Sequence, residues 1–328
     1  MNKKYQFTPL GWWLTGFTQT DGCFMISFSQ QKKGKLPYRP QPVFMLTQSV
    51  REIEMMKKLH KALDVGKLYI NRESVNIVVS SITDILTVII PHFDKYPVKG
   101  GKLVSYLIFR KVVLAMQDKM HLDPKGFISI LNFCYFTHTT STRSMESYQT
   151  IVSFINDKFP LIFCKQSELK IDFNSVNANN DIYPVDFICG MVDGDGSICF
   201  TFSNVKKKVT SEFSISIGLE DYSVLLALKN KLQCGEIYIS TKKEYVKYRV
   251  TKIKDLIDKI IPLLKEGHLY TVKQEYLVPS FEVWNILYTR GIQSDKNLQR
   301  VVDLVYNINL DGKTRKITKE TYLQRFII

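Results

Sequence analysis

Apolar residues at the start of the chain change their spacing at one point. Over 5–20 they recur at helical intervals, with Phe7, Leu10, Trp13, Leu14 and Phe17 on one stripe and Pro9 as a first-turn residue. After Asp21-Gly22 the interval falls to two: Phe24, Ile26 and Phe28 alternate with Met25, Ser27, Ser29 and Gln31. A buried helix is therefore predicted to run directly into a strand with one core face and one polar face.

A basic turn (Lys32, Lys33, Lys35) leads to a second strand over 38–48, where Pro40 and Pro42 confine the early part to an edge or loop. The spacing then predicts an amphipathic helix over 51–63 and a hairpin of strands 67–70 and 75–79. A helix over 82–90 should stop at Pro91, with further helices over 103–117 and 124–137.

The pattern restarts in the second half. ICGMVDGDG over 188–196 echoes LTGFTQTDG over 14–22, at a constant spacing of 174. Ile198, Phe200 and Phe202 stand 174 after Phe24, Ile26 and Phe28, with Cys199, Thr201 and Ser203 on the polar side. Lys206, Lys207 and Lys208 repeat the basic turn. Phe213, Ile215 and Ile217 alternate with Glu212, Ser214 and Ser216, a helix is expected over 223–232, and residues 235–239 restate 66–70 at a spacing of 169. Val246, Tyr248 and Val250 stand 171 after Val75, Ile77 and Val79, leaving Tyr245, Lys247 and Arg249 outward; Pro262 stands 171 after Pro91.

Strands, helices and stops that recur in order predict an α+β fold of two αββαββα halves related by a pseudo-twofold axis. The halves span 1–140 and 183–328. Residues 141–182 form a linker, polar towards its ends and partly helical over 148–159.

Composition narrows the class. With 45% hydrophobic residues in 328, the chain can bury real cores. No apolar run approaches the roughly 18 residues that cross a bilayer, and MNKKYQFTP resembles neither a secretory nor a transit sequence. A soluble protein, made where it acts or imported by some other signal, is expected. The net charge of +14 calls for an anionic partner, nucleic acid before membrane surface. Cys23, Cys134, Cys164, Cys189, Cys199 and Cys234 lack CxxC spacing, which suits a reducing compartment without a zinc site. Richness in Lys, Asn, Ile, Phe and Tyr suits an AT-rich, organellar gene.

A lone Asp-Gly is most often a turn, with glycine supplying φ > 0 after a helix. Here the pair ends a buried helix twice, where the negative end of the helix dipole disfavours a carboxylate. That placement invites a cation. Gly16 and Gly190, each costing about 1 kcal/mol of helix propensity relative to Ala, suggest two helices in close approach; Asp21 and Asp195 would then meet near the axis, where divalent metal would relieve their repulsion. Metals flanked by carboxylates suit phosphodiester hydrolysis. Mg²⁺ fits hard oxygen ligands better than zinc does, with Mn²⁺ or Ca²⁺ as substitutes in binding.

These two segments resemble the paired motifs of the LAGLIDADG homing endonucleases in their single-chain, two-motif form, and the repeated element order extends the resemblance over nearly the whole chain. ICGMVDGDG is close to the motif. LTGFTQTDG has Gln19 where the family has its earlier acid and keeps Asp21 at the metal-binding position.

The resemblance implies motif helices packed at a central interface and four-stranded sheets forming a saddle on the DNA major groove. Asp21 and Asp195 become the catalytic pair, one for each strand, with Thr20 and Gly194 completing the metal set. Gln19 and Asp193 take helix-end or packing roles. Gln48 matches a position that orders active-site water, while its counterpart is Ile217, which predicts unequal cutting of the two strands. Lys102 and Lys273 fall where the family carries a basic residue near the scissile phosphates; solvated helix-start lysines are the alternative.

Ser27, Ser29, Gln31, Arg39, Gln41, Ser203, Lys247 and Arg249 are the outward candidates for DNA contact, or else a solvated strand face. Lys33, Lys207 and Lys208, with Lys32 and Lys206, are candidates for phosphate, or else solvated turns. The isolated histidines, His60 and His121 among them, read as surface or boundary residues. The expected protein is a monomeric double-stranded DNA endonuclease, encoded in a mitochondrion or other organelle; the alternative is a maturase that binds intron RNA.

Overall fold

The computed structural model describes residues 10–137, 143–159, 167–172, 183–203, 205–308 and 317–326. Tyr5, Phe7 and Pro9 of the expected first helix, Cys164, and the polar linker segment 174–181 lie outside the described residues.

In each half the switch from helix to strand falls on one peptide. The first half runs α1 (Trp12–Asp21), β1 (Gly22–Gln30), β2 (Tyr38–Ser49), α2 (Ile53–Leu63), β3 (Lys67–Ile70), β4 (Ser74–Val79), α3 (Ile82–Asp84), α4 (Ile90–Lys95), α5 (Gly100–Gln117), α6 (Pro124–Phe136) and α7 (Met145–Lys158). The second runs α8 (Val185–Asp195), β5 (Gly196–Phe202), β6 (Val209–Gly218), α9 (Tyr222–Leu232), β7 (Glu236–Ser240), β8 (Tyr245–Val250), α10 (Ile253–Asp255), α11 (Ile261–Glu266), α12 (Lys273–Thr289), α13 (Asp295–Asn307) and α14 (Lys319–Phe326). Both are α+β, each built on a four-stranded antiparallel sheet, with orders β1-β2-β4-β3 and β5-β6-β8-β7.

The alternation read from the sequence sets the inner faces. In the first sheet Phe24, Ile26, Phe44, Leu46, Val75, Ile77 and Val79 are buried. Phe24 meets the rings of Phe44, Phe93, Tyr106 and Phe109 at centroid distances of 5.0–5.5 Å, which locks the sheet to α4 and α5. Each such ring contributes roughly 1.5–3 kcal/mol by burial. The second sheet buries Phe213, Ile215, Ile217, Val246, Tyr248 and Val250 in the same register. Pro40 and Pro42 sit where β2 pairs with β1 alone; only over Phe44, Met45 and Leu46 does β2 pair on both sides. That position needs no second set of ladder donors.

Three expectations about helices change. Leu10 is 49% exposed, and Gly11, at φ +116°, turns the chain so that the helix begins at Trp12. Pro91 and Pro262 do not stop their helices. A π-helical stretch precedes each, Ile85–Ile89 and Leu256–Ile260, and α4 and α11 continue with proline in the first turn. The wider turn carries the carbonyl four residues back away from the proline ring, with which it would otherwise clash.

The chain divides into two compact units. One comprises Met1–Gly11 and Asp21–Ile182, the other Trp12–Thr20 and Tyr183–Ile328. Helix α7, inside the segment read as a linker, buries Tyr148, Ile151, Val152 and Ile155 against Phe127, Ile128 and Leu131 of α6 in the first unit.

Candidate active site

Helix α1 opens the first half in sequence but packs within the second unit, against α8. A methyl group at Gly16 would stand 1.9 Å from the Phe187 carbonyl oxygen, and one at Gly190 would stand 2.1 Å from the Trp13 carbonyl oxygen. Only glycine at both positions lets the two backbones touch. Trp12 meets Phe187 edge-on at 6.2 Å, and the Trp13 indole donates to Asp193 Oδ2 at 2.8 Å.

Each motif helix ends on its aspartate, and each following strand begins on glycine. The glycines do not serve a left-handed turn. Gly196 has φ −72°, and a Cβ there would lie 2.6 Å from both Cα and O of Val192, so its role is close approach of strand to helix. Asp21 is half-buried and Asp195 is exposed.

In the first unit, Gln48 Nε2 donates to Asp21 Oδ2 at 2.7 Å, which fixes the carboxylate, and Lys102 Nζ donates to the Gly22 carbonyl at 2.7 Å. In the second unit, Lys273 Nζ donates to the carbonyls of Val192 and Asp193 at 2.9 and 2.8 Å and also to that of Gly194. Both lysines begin long helices, α5 and α12. Neither is a solvated helix-start lysine: each binds main-chain carbonyls at its own half's helix-to-strand junction, where a cation offsets the dipole. Gly194, named for metal, therefore offers its carbonyl to an ammonium. Thr20 uses its hydroxyl on the Phe17 carbonyl at 3.0 Å.

The register sets Gln48 opposite Val75 and Ile217 opposite Val246, so the two are structural counterparts, one polar and one apolar. The earlier motif positions also differ. Asp193 is 1% exposed and accepts from Trp13 Nε1, from the amides of Tyr270 and Thr271 at 2.8 and 3.2 Å, and from the Thr271 hydroxyl. Burial pushes its carboxyl above the usual range, while these donors pull it back. Gln19, 2% exposed, donates to Asp221 Oδ2 at 3.1 Å. Thr271 and Asp221 carried no sequence signal, because each meets its partner across 78 and 202 residues respectively.

A family model described as LAGLIDADG endonuclease matches residues 14–113 and 188–279. The probable intron-encoded DNA endonuclease 1 of Mycosarcoma maydis is 43% identical over 274 residues, covering 84% of this chain and 98% of that protein. The chain belongs to the LAGLIDADG endonuclease family. Among solved structures, the LAGLIDADG homing endonuclease I-GzeII in complex with its DNA target has a TM-score of 0.75 at 22% identity, covering 93% of this chain and 99% of that one. I-SmaMI bound to an uncleaved DNA target in the presence of calcium ions has a TM-score of 0.77 at 22% identity, covering 93% and 99%. At that identity the likeness is one of fold.

On the outward faces of this LAGLIDADG chain the candidates separate. Ser27 pairs with Gln41 and Ser29 with Arg39 across β1 and β2, forming one polar patch. Gln31 follows the strand, its amide held by the Pro37 carbonyl at 2.7 Å, and Lys33 is exposed. Ser203 lies past the end of β5, where its hydroxyl accepts from the amides of Val205 and Lys206; it holds a turn and is not a strand-face residue. Lys208 is exposed, but Lys207 is half-buried and donates to the Gln293 carbonyl and to Asp295, both at 2.8 Å. Lys247 pairs with Glu212, and Arg249 with Glu236 at 3.0 Å, so neither is the bare cation that alternation implied. Among the described residues, no helix is long and apolar enough to cross a membrane.

Proposed function

We propose that this chain is a site-specific, divalent-metal-dependent double-strand DNA endonuclease of the homing type, acting as a monomer on a long asymmetric target. The observation that carries the reading is the twofold recurrence of a buried helix ending on an aspartate, followed at once by a glycine that opens a four-stranded antiparallel β-sheet. Family membership and the intron-encoded DNA endonuclease name of a 43% identical relative support it.

The donors suit a hard cation. Asp21 and Asp195 offer carboxylate oxygen, and among the described residues no group of three His, Cys, Asp or Glu gathers as a soft or all-protein cage would require. Mg²⁺, which keeps several waters and takes one or two carboxylates, fits that set. When bound, it supplies charge neutralisation at the phosphate and an acidified water.

The chain's residues do the rest. Asp21 and Asp195 bind, one serving each DNA strand. Gln48 holds one oxygen of Asp21 so that the other is presented in a fixed direction. Lys102 and Lys273 hold the helix-to-strand junctions and place positive charge beside the carboxylates. The outward strand faces, with Arg39 and Gln41 on the part of β2 that pairs with β1 alone, meet the bases. The net charge of +14 draws in the backbone. An organellar intron is the proposed coding site, in keeping with relatives named for Cox1 and ND4 introns.

The test is cleavage of a target selected from a randomised DNA library, with Mg²⁺, by wild type and by Asp21→Asn and Asp195→Asn. Each variant is expected to lose about a hundredfold or more of its cutting. Linearisation by both variants at the wild-type rate overturns the mechanism, and intron RNA binding without any DNA cutting would favour the maturase.

A further inference from the structure

Asp193 and Lys273 form a closed loop through Thr271. The Asp193 carboxylate accepts the Tyr270 and Thr271 amides and the Thr271 hydroxyl, which fixes the corner leading into α12. The same hydroxyl lies 3.4 Å from the amide of Lys273, the first residue of α12, and accepts from it. Lys273 then returns its ammonium to the carbonyls of Val192, Asp193 and Gly194, immediately before Asp195. Side chain and main chain of one residue thus bracket the start of α12. With three hydrogens on three carbonyls, the ammonium has one direction, and it lies beside the metal-binding carboxylate of this half.

The first unit is built otherwise. Helix α5 begins at Gly100, at φ +56°, with no side-chain cap bond. In the first motif the counterpart of Asp193 is Gln19, which donates to Asp221, both lying in the second unit. Lys102 reaches the Gly22 carbonyl, beyond the aspartate, where Lys273 reaches those of Val192, Asp193 and Gly194, before it.

We infer that Thr271 is a positioning residue for one of the two cuts: clamped by Asp193, it sets the Lys273 ammonium against the end of α8 and so tunes the Asp195 half alone. The inference rests on the proposed nuclease reading.

The measurement is the ratio of the two strands' nicking rates on one duplex target with Mg²⁺. Thr271→Val keeps the shape and removes the hydroxyl; it should shift the ratio by about tenfold, the usual cost of losing a group that orients a site. Thr271→Ser should restore the wild-type ratio, and Lys273→Met should slow the same strand as Thr271→Val. Loss of fold lowers both strands together and leaves the ratio alone, so an unchanged ratio in a Thr271→Val protein that keeps the wild-type melting temperature overturns the inference, as does a shift towards the opposite strand from Lys273→Met. A second readout needs no cleavage. With nitrogen-labelled lysine, the Lys273 ammonium should give a protected signal in wild type and Thr271→Ser and lose it in Thr271→Val. Protection that persists in Thr271→Val overturns the inference even if the wild type cuts nothing, an outcome that would instead strike the proposed function.

Discussion

The two helix-to-strand junctions share a backbone and differ in nearly everything around it. Both end a helix on aspartate and open a strand on glycine. Yet Asp21 has an amide donor at 2.7 Å from Gln48, where the second half has Ile217, and Lys102 holds the Gly22 carbonyl where Lys273 holds those of Val192, Asp193 and Gly194. The difference separates two requirements. Close helix packing and sheet register admit few residues, as Gly16 and Gly190 show, whereas the shell about each carboxylate can be supplied in several ways. A duplicated scaffold is therefore compatible with two unequal sites.

The largest expected effect of this inequality is on stability. Proline-bearing helix α4 carries His92 where α11 carries Leu263, at the spacing of 171 that also relates Pro91 to Pro262. Burial, and then the charge of Lys95, push the His92 imidazole down from 6.5 to about 4. The folded state thus favours the neutral ring. Its contribution is complete above the unfolded value, is lost as pH falls from about 6.5 towards 4, and changes no further below that. By pH 5 the loss is about 2 kcal/mol. Thermal denaturation at pH 7 and pH 5 should show the wild type losing that much more stability than His92→Leu, which gives the first half the apolar residue of the second. Equal losses would show that the two proline helices respond alike to acid.

A smaller effect comes from exchanging the shells. Gln48→Ile gives Asp21 the surroundings of Asp195, and Ile217→Gln does the reverse. Each should move the ratio of the two strands' nicking rates by about tenfold, in opposite directions. That is about 1.4 kcal/mol of barrier. If strand-resolved gels show the same ratio in both variants and in the wild type, the amide at Asp21 Oδ2 does not distinguish the sites, and the inequality lies with the lysines.

How much of this was legible in the sequence depends on distance along the chain. Period-two runs such as Phe24, Ile26 and Phe28 placed the inner faces of both sheets, and the constant spacing of the motifs placed the two aspartates at equivalent junctions. Gly16 and Gly190 stood out because glycine inside an apolar helix needs a packing reason. The prolines misled because a π turn can absorb what an α turn cannot, and nothing local to Pro91 or Pro262 announces that turn. The partners of Lys102 and Lys273 lie about 80 residues away, so either lysine alone looks like a solvated helix start. Alternation put Lys247 and Arg249 on the outward face but could not show that Glu212 and Glu236 meet them there, since that depends on strand register.

That last point carries the smallest predicted effect and the sharpest contrast between the two sheets. Arg39 is exposed on β2, opposite Ser29, and makes no ion pair among the described residues. Arg249 stands directly opposite Glu236 on β7 and is paired with it. An exposed pair of this kind stabilises the fold by roughly 0–1 kcal/mol at most, so its larger expected effect is on the proposed DNA binding. A phosphate approaching Arg249 must displace a carboxylate or accept its repulsion, and one approaching Arg39 need not. Arg39→Ala should lower the slope of log affinity against log salt by about one, a difference of about fourfold in affinity change between 50 and 200 mM salt. Arg249→Ala should lower it by less, because Glu236 is left behind to repel; Glu236→Gln should strengthen binding and steepen the slope by freeing the guanidinium. Equal slopes for Arg39→Ala and Arg249→Ala would mean that DNA breaks the Glu236 pair without measurable cost, and that the two sheets meet the backbone as equals.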